Sequence, residues 1–491
     1  MKKLYKVAAC ACLAFVLSLS LVLAGCSSQE GSEKYVVSIE QTATDESGSS
    51  FLIEYSDGST STFTVASGKD GEDGQDLTAQ DVYEQYKAET GEELTYAEFL
   101  QKYMDVTADN GTAVNESLRS AIKVYAEFIE TQSSSSGGWW SPVRPSAQTA
   151  VYTGSGVIYD IADDGYTYFV TNYHVVYDSA AAEDNATGNS NGANIARKIV
   201  CYLYGSEGAP VQSGTGSDGY TAYDYGQYAI ECEYVGGSIE SDIAVLRAPT
   251  DEVKEVNEDI CEVELADDYY VGETAIAVGN TEGEGISVTQ GVVSVDSEYI
   301  TLSDIDGTAR SCRVLRIDTA IYGGNSGGGL FNKDGKLIGI TNAGNTEDQN
   351  INYAIPLEIV RGTVENILYY YGDGDAETTG AYKITFGVTV TTQNSKYTYD
   401  SSVGYGKISE EVVVSEITAG SIAEQIGLAE GDIITALVVD GAEHELDRSF
   451  NISELALTLR PGNAVSFRVE RNGSSQLLQS YTLQKSDLVS I

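Results

Sequence analysis

The chain has 491 residues, 42% of them hydrophobic, enough for two or three domains that each bury a core. Its 74 acidic residues against 28 basic ones give a formal net charge of −46. That balance excludes nucleic acid as a ligand, because too few cations are present to neutralise a run of phosphates, and excludes docking on an anionic membrane through a basic patch.

Taken in chain order, residues 1–25 read as an export signal. Lys2, Lys3 and Lys6 form a basic start, and residues 7–24 are an apolar run. Leu23-Ala24-Gly25-Cys26 resembles a bacterial lipobox, which implies cleavage before Cys26 and lipidation of its thiol. Two or more acyl chains hold a protein stably on a bilayer. The alternative is an uncleaved anchor, since about 18 apolar residues just span a membrane. Either reading places the remainder outside the cytoplasm, and the lipobox places it on a lipid anchor at the bacterial cell membrane. Cys201, Cys232, Cys261 and Cys312 stay in the body of the chain. Their pairing is open, and with no CxxC among them no zinc site is expected.

Residues 26–130 read as an anchor and spacer. Tyr35-Val36-Val37-Ser38-Ile39 and Phe51-Leu52-Ile53-Glu54-Tyr55 alternate, and a turn at Ser56-Asp57-Gly58-Ser59 predicts a small β-hairpin or meander. Three glycines at every third position, Gly68, Gly71 and Gly74, are too few for a collagen helix and mark a linker. Thr78 and Thr95 are candidate caps for helices carrying Val82, Tyr83 and Tyr86, then Phe99, Leu100 and Tyr103. Leu118, Ile122, Tyr125 and Ile129 predict a third helix. The stretch loosely resembles stalk modules of Gram-positive surface proteins. Residues 131–149 are a linker. Residues 150–371 carry many short β-branched and aromatic runs with glycine turns and predict an all-β domain. Within it, residues 180–230 are a polar insertion, and 360–370 a closing helix. A linker at 372–380 leads to a final β-rich domain at 381–488.

The sharpest motif is Gly323-Gly324-Asn325-Ser326-Gly327-Gly328. Glycines on both sides let the backbone turn tightly, expose the hydroxyl and aim N–H groups at one small volume, as stabilisation of an oxyanion requires. A serine hydroxyl needs a neighbouring base. Of the two histidines, His174 and His444, only His174 falls in the predicted all-β domain, after the strand Tyr168-Phe169-Val170-Thr171. His444 lies on a polar stretch and is expected to be exposed. Ser241-Asp242-Ile243-Ala244-Val245-Leu246 places a carboxylate at the head of an apolar strand, where it can orient an imidazole.

The order His, Asp, Ser is that of chymotrypsin-type double β-barrels. Thr171-Asn172-Tyr173-His174-Val175-Val176, Ser241-Asp242-Ile243-Ala244-Val245-Leu246, Asp318-Thr319-Ala320-Ile321, Gly324-Asn325-Ser326-Gly327-Gly328 and Asn352-Tyr353-Ala354-Ile355-Pro356 resemble the HtrA family of trypsin-like serine proteases over roughly 220 residues. The resemblance implies a chymotrypsin-like double barrel with His174, Asp242 and Ser326 as catalytic triad. It also implies an oxyanion hole from the N–H groups of Gly324 and Ser326, and a primary specificity pocket at Ala320, Ile321, Thr341, Asn342 and Ala343. Without an acidic residue at its base, that pocket suits a small aliphatic side chain. Gly329 stands where the family often has proline, and Tyr322-Gly323 replaces its usual pair before Gly-Asn-Ser. Both changes predict a mobile oxyanion loop.

In the last domain, the strand Glu411-Val412-Val413-Val414-Ser415-Glu416-Ile417, the helix Ser421-Ile422-Ala423-Glu424-Gln425-Ile426 and the turn at Glu430-Gly431-Asp432 resemble a PDZ domain. That resemblance implies capture of a peptide carboxylate at Phe386, Gly387 and Val388. Residues 393–409 form an unusually long segment before the next clear strand. The combined expectation is hydrolysis of unfolded, damaged or specific exported proteins and binding of their C-terminal peptides, with no metal or cofactor, in a chain that the family resemblance suggests is a homotrimer. The alternatives are a site-specific regulatory protease of a membrane partner and a non-catalytic peptide-binding chaperone.

Overall fold

Antiparallel pairing of the short β-branched runs closes two six-stranded barrels in the computed structural model. The structure describes residues 36–45, 48–55, 59–66, 87, 111–132, 146–187, 189–303, 309–344, 350–372 and 380–491. The export signal, Cys26, the glycine repeat, the helices expected at 78–103 and most of both linkers lie outside them.

Two units are described separately. In the first, β1 (Val36–Asp45), β2 (Gly48–Tyr55) and β3 (Thr60–Ala66) form an antiparallel sheet in the order β1-β2-β3, the expected meander. Phe51 pairs with Phe63 across β2 and β3.

The second unit opens with α1 (Gly111–Leu118) and β4 (Ala121–Gln132). Here the expectation is corrected. Ile122, Tyr125 and Ile129 lie on a barrel strand and not on a helix, so the first barrel begins well before residue 150. The reason is burial on both faces. Ile122, Val124, Ala126 and Phe128 fill the barrel, while Lys123 and Glu127, on the opposite face, are 3% and 6% exposed. Lys123 donates to the Gly283 carbonyl at 2.8 Å, and Glu127 takes Arg197 at 2.7 Å. With no solvent face, the period-two signal disappears.

β5 (Ser146–Ile161), β6 (Tyr166–Thr171), the short helix α2 (Tyr173–Val176), β7 (Lys198–Leu203), β10 (Ile230–Ser238) and β11 (Ile243–Pro249) complete the barrel, in the closed order β10-β11-β6-β5-β4-β7. The polar insertion carries a separate hairpin of β8 (Val211–Thr215) and β9 (Thr221–Asp224). After α3 (Thr250–Val256), the second barrel comprises β12 (Thr274–Asn280), β13 (Ile286–Ser303), β14 (Ala309–Ile317), β15 (Gly329–Phe331), β16 (Leu337–Gly344) and β17 (Asn352–Pro356), closed as β12-β13-β14-β17-β16-β15. One apolar core, from Val157 and Val245 to Leu330 and Ile340, continues across both barrels and sets them edge to edge. The closing helix is α4 (Leu357–Gly372), which buries Leu357, Val360, Val364 and Ile367 in that core.

The C-terminal part holds β18 (Tyr382–Ile384), β19 (Val388–Asp400), β20 (Tyr405–Ile417), α5 (Ile422–Ile426), β21 (Ile433–Val439), β22 (Ala442–Glu445), α6 (Asn451–Thr458), β23 (Ala464–Arg471), β24 (Ser474–Leu477), β25 (Tyr481–Thr482) and β26 (Leu488–Ser490). Its main sheet runs β19-β20-β21-β23-β24. The long segment 393–409 proves to be the outer part of a β19–β20 hairpin, paired as far as Asp400 and Tyr405. Ser421 caps α5 by accepting the Glu424 N–H at 3.3 Å. His444 is exposed on β22.

Candidate active site

β6 is buried along nearly its whole length and delivers Asn172 and α2 to the mouth of the first barrel, which fixes where His174 can stand. Asp242 precedes β11 with φ +51°, a left-handed conformation that aspartate tolerates better than most residues. The turn is clamped from the α2 side. The Asp242 carbonyl accepts the Tyr173 N–H at 3.1 Å and the Asn172 amide at 2.8 Å. The carboxylate then faces His174, with Oδ1 accepting its backbone N–H at 2.9 Å and Oδ2 lying 2.7 Å from Nδ1. Burial disfavours the imidazolium and is the largest single influence on His174. The charge and hydrogen bond of Asp242 outweigh it, so the net pKa is raised above the ordinary 6.5.

The second barrel supplies the loop before β15. Gly324 (φ +93°) and Gly327 (φ +88°) are left-handed, and a Cβ on either would lie 2.2 Å from a backbone oxygen, of Asn280 and Ser155 respectively. No other residue fits these two positions. The loop is tied to both barrels. Ser155 of β5 donates its hydroxyl to the Gly324 carbonyl at 2.7 Å and its N–H to the Ser326 carbonyl at 2.9 Å. The Gly323 carbonyl accepts the Glu282 N–H at 2.6 Å. Thr341 donates to the Asn325 carbonyl at 2.6 Å. These bonds draw the loop's carbonyls away from the cleft. Among the described residues, the N–H groups of Gly324 and Ser326 are left without a backbone acceptor. Gly329 has no room for a larger residue, since a Cβ would meet the Phe331 ring at 2.3 Å and Val157 at 2.9 Å.

Asn342 of β16 joins the two halves. Its side-chain amide donates to Asp242 Oδ2 at 2.7 Å, and its carbonyl accepts the Ser326 hydroxyl at 3.0 Å. One residue therefore touches both the Asp242 carboxylate and the Ser326 hydroxyl. The structure thus brings His174, Asp242, Gly324 and Ser326 together at the junction of the barrels. The residues expected at the specificity pocket divide. Ala320 is half-buried and Ile321 buried beside the loop. Thr341 is 1% exposed and braces the loop from beneath, while Asn342 turns its side chain to Asp242. Ala343 pairs with Tyr353 on β17. In the C-terminal part, Phe386, Gly387 and Val388 line a cavity of about 430 Å³ bounded opposite by Ile452 and Ala456 of α6.

Sequence reasoning missed Ser155, the tie between the loop that carries Ser326 and the first barrel. Its signal is Gly154-Ser155-Gly156, a small-residue run that lets β5 approach the loop. The role of Asn342 left no local signature.

Residues 154–340 match the family of trypsin-like peptidase domains. The chain is 31% identical over 291 residues to the serine protease Do-like HtrA of Lactococcus lactis subsp. cremoris, covering 57% of this chain and 60% of that protein. It is 28% identical over 369 residues to the serine protease Do-like HtrA of Bacillus subtilis, covering 74% and 70%. A probable periplasmic serine endoprotease, DegP-like, of Rhizobium meliloti is 28% identical over 68% of this chain and 53% of its own length. The matched residues run from β5 to β16, so this chain carries a trypsin-like serine peptidase domain and is similar to serine proteases of the HtrA type.

Proposed function

We propose that the chain is a serine endopeptidase in which Ser326 attacks the scissile carbonyl, His174 carries the proton and Asp242 orients and stabilises the imidazolium. The observation that carries this reading is Asn342, which holds the Asp242–His174 pair and the Ser326 hydroxyl on one residue. Attack requires the hydroxyl to turn from the Asn342 carbonyl to His174 Nε2. Catalytic hydrogen bonds commonly tighten only when substrate is bound. The proton passes to Nε2 as the Ser326–carbon bond forms, and the oxyanion settles on the N–H groups of Gly324 and Ser326. Collapse expels the amine, which takes the proton from His174, and a water repeats the sequence on the acyl-enzyme.

The proposed substrates are exported proteins, unfolded or displaying C-terminal ends. The groove between residues 385–390 and α6 supports reading the C-terminal part as a PDZ domain, with a peptide adding to the free edge of β19. Anchoring through a lipidated Cys26 completes the proposal. One experiment tests it. Wild type, Ser326→Ala and Cys26→Ser are expressed in a Gram-positive host, and casein hydrolysis and fluorophosphonate labelling are read in membranes and medium. Wild type is expected to be active in membranes, Cys26→Ser active in medium, and Ser326→Ala reduced by roughly 10⁶-fold in both. Undiminished hydrolysis by Ser326→Ala excludes the mechanism, and wild-type activity confined to the medium excludes the anchor.

A further inference from the structure

The inner face of the first barrel carries two cysteines, and both are thiols in this structure. Cys201 of β7 and Cys232 of β10 are 0% and 6% exposed, among Ile122, Val124, Ile199, Leu203 and Ile230. Their two strands pair only from Ile230 with Cys201 to Cys232 with Ile199. Every other ladder of the closed order β10-β11-β6-β5-β4-β7 is longer, so this one is the narrowest join in the barrel wall. The cysteines are diagonal neighbours across it, and the twist of the sheet brings their sulfurs to 3.2 Å.

Such a pair has three chemical uses, which need different surroundings. A metal site needs further ligands, and among the described residues no third His, Cys, Asp or Glu joins these two. A catalytic or sensing thiol needs an accessible thiolate. Here burial, and then the neighbouring sulfur, push the Cys232 thiol well above its usual pKa. A disulfide needs only reach. A bond of about 2.05 Å asks each sulfur to move roughly 0.6 Å, which a small rotation about each Cα–Cβ bond supplies. Cys261 and Cys312 are engaged elsewhere, with their thiols at the carbonyls of Glu116 and Ile300, at 3.7 and 3.8 Å.

We propose that Cys201 and Cys232 form a disulfide that staples β7 to β10 across the narrowest join of the first barrel. The proposal rests on the reading that the chain is exported, because disulfides persist in oxidising exteriors. The oxidant is the disulfide of an extracytoplasmic thiol–disulfide oxidoreductase. One cysteine thiolate attacks it to form a mixed disulfide, and the second then displaces the carrier. The two cysteines lose two protons and two electrons, and the carrier leaves as a dithiol that has gained both. Folding buries both thiols, so the exchange belongs before the barrel closes, and the finished bond is shielded from reductant. The bond closes a loop of about 30 residues that contains the β8–β9 hairpin. β10 itself runs on into the turn that carries Asp242. The staple therefore uncouples opening of the exposed insertion from opening of the strand that leads to the site.

The test expresses the full chain in a Gram-positive host and separates membranes, medium and cytosol. Each fraction is quenched in acid, unfolded, alkylated with a maleimide and digested without reductant, and mass spectrometry reads which cysteines are linked. Exported chain is expected to give a linked peptide pair containing Cys201 and Cys232, with Cys261 and Cys312 alkylated. Thermal unfolding is then followed with and without a phosphine reductant. Wild type is expected to lose on the order of 10 °C with the reductant. The double variant Cys261→Ala with Cys312→Ala is expected to lose the same, and Cys232→Ala to show one midpoint in both conditions. A reductant shift that persists in Cys232→Ala overturns the staple. So does exported chain in which Cys201 and Cys232 are alkylated and stay so after incubation with glutathione disulfide in mild urea. Chain confined to the cytosol overturns the export reading, and there linkage of the same pair by glutathione disulfide supports the staple, while its failure overturns both.

Discussion

Asp242 is heavily engaged at the site, and under the proposed mechanism its charge sets the pH at which His174 would act as base. Its carboxylate accepts from His174 Nδ1, the His174 backbone and Asn342, while its own carbonyl holds α2 in place. A base must be neutral to take a proton, so the proposed mechanism requires kcat/KM to rise with pH through the His174 pKa. Asp242 holds that pKa above 6.5, so the acid limb is expected above the ordinary histidine value. Asp242→Asn removes the charge while keeping the shape. The limb is then expected to move to lower pH, and kcat to fall by about 10⁴-fold as the tautomer is lost. A pH–rate profile whose limb stays in place in the variant refutes the coupling. The linked stability has the opposite sense. A raised histidine pKa stabilises the fold fully below its unfolded value and loses that contribution as pH rises through the folded one. The neutral form of His174 that the proposed mechanism needs is therefore not its most stabilising one.

At the scale of elements, the C-terminal part is joined to the barrels through α4 and α6. Asn366 of α4 holds both the Leu457 carbonyl and the Tyr382 backbone, at 2.7 and 2.8 Å. Arg313 of β14 is 4% exposed along its side chain and meets Glu454 of α6, with Tyr269 at 2.6 Å. Removing one partner of such a pair leaves the other charge buried alone. Arg313→Ala is expected to destabilise the chain by about 3–5 kcal/mol, read from urea unfolding, whereas Arg313→Met with Glu454→Leu recovers most of that loss. A single variant as stable as wild type contradicts the arrangement. These contacts were not legible in the sequence, because they join positions far apart in the chain that carry no periodic signal. Where the signal is local, it was readable. The glycines around Ser326, the apolar strand after Asp242 and the cap at Ser421 each dictate their own backbone. β4 was misread because Lys123 and Glu127 are buried opposite Ile122 and Phe128, which left Leu118, Ile122, Tyr125 and Ile129 to mimic a helical stripe. The outer β19–β20 hairpin was missed for the opposite reason. Residues 392–400 are exposed on both faces, so only the alternation of Tyr397 and Tyr399 betrays a strand.

For the whole molecule, charge dominates. Against 74 carboxylates stand 28 lysines and arginines, so ion pairing leaves most acidic groups without a cation. Asp160 shows the consequence locally. Its pKa is raised, first by burial and then by Glu262, Asp164 and Asp163 around it. A folded chain at −46 repels itself, and screening relieves this. The Debye length shrinks from about 10 Å at 0.1 M salt to about 3 Å at 1 M. Screening also weakens the surface pairs, such as Arg468 with Glu443, yet exposed pairs contribute only about 0–1 kcal/mol each and cannot outnumber the cations present. The repulsion relieved is spread over every unpaired carboxylate, so it is the larger effect. The melting temperature is therefore expected to rise by several degrees between 0.05 and 1 M sodium chloride at pH 7, measured by scanning calorimetry. Chloride is the right anion, because sulfate stabilises folded chains by exclusion whatever their charge. At pH 4, near the isoelectric point of about 4.1, the repulsion vanishes and the salt effect is expected to vanish with it. A melting temperature that falls with salt at pH 7 places the electrostatic stability in specific ion pairs and not in the net charge.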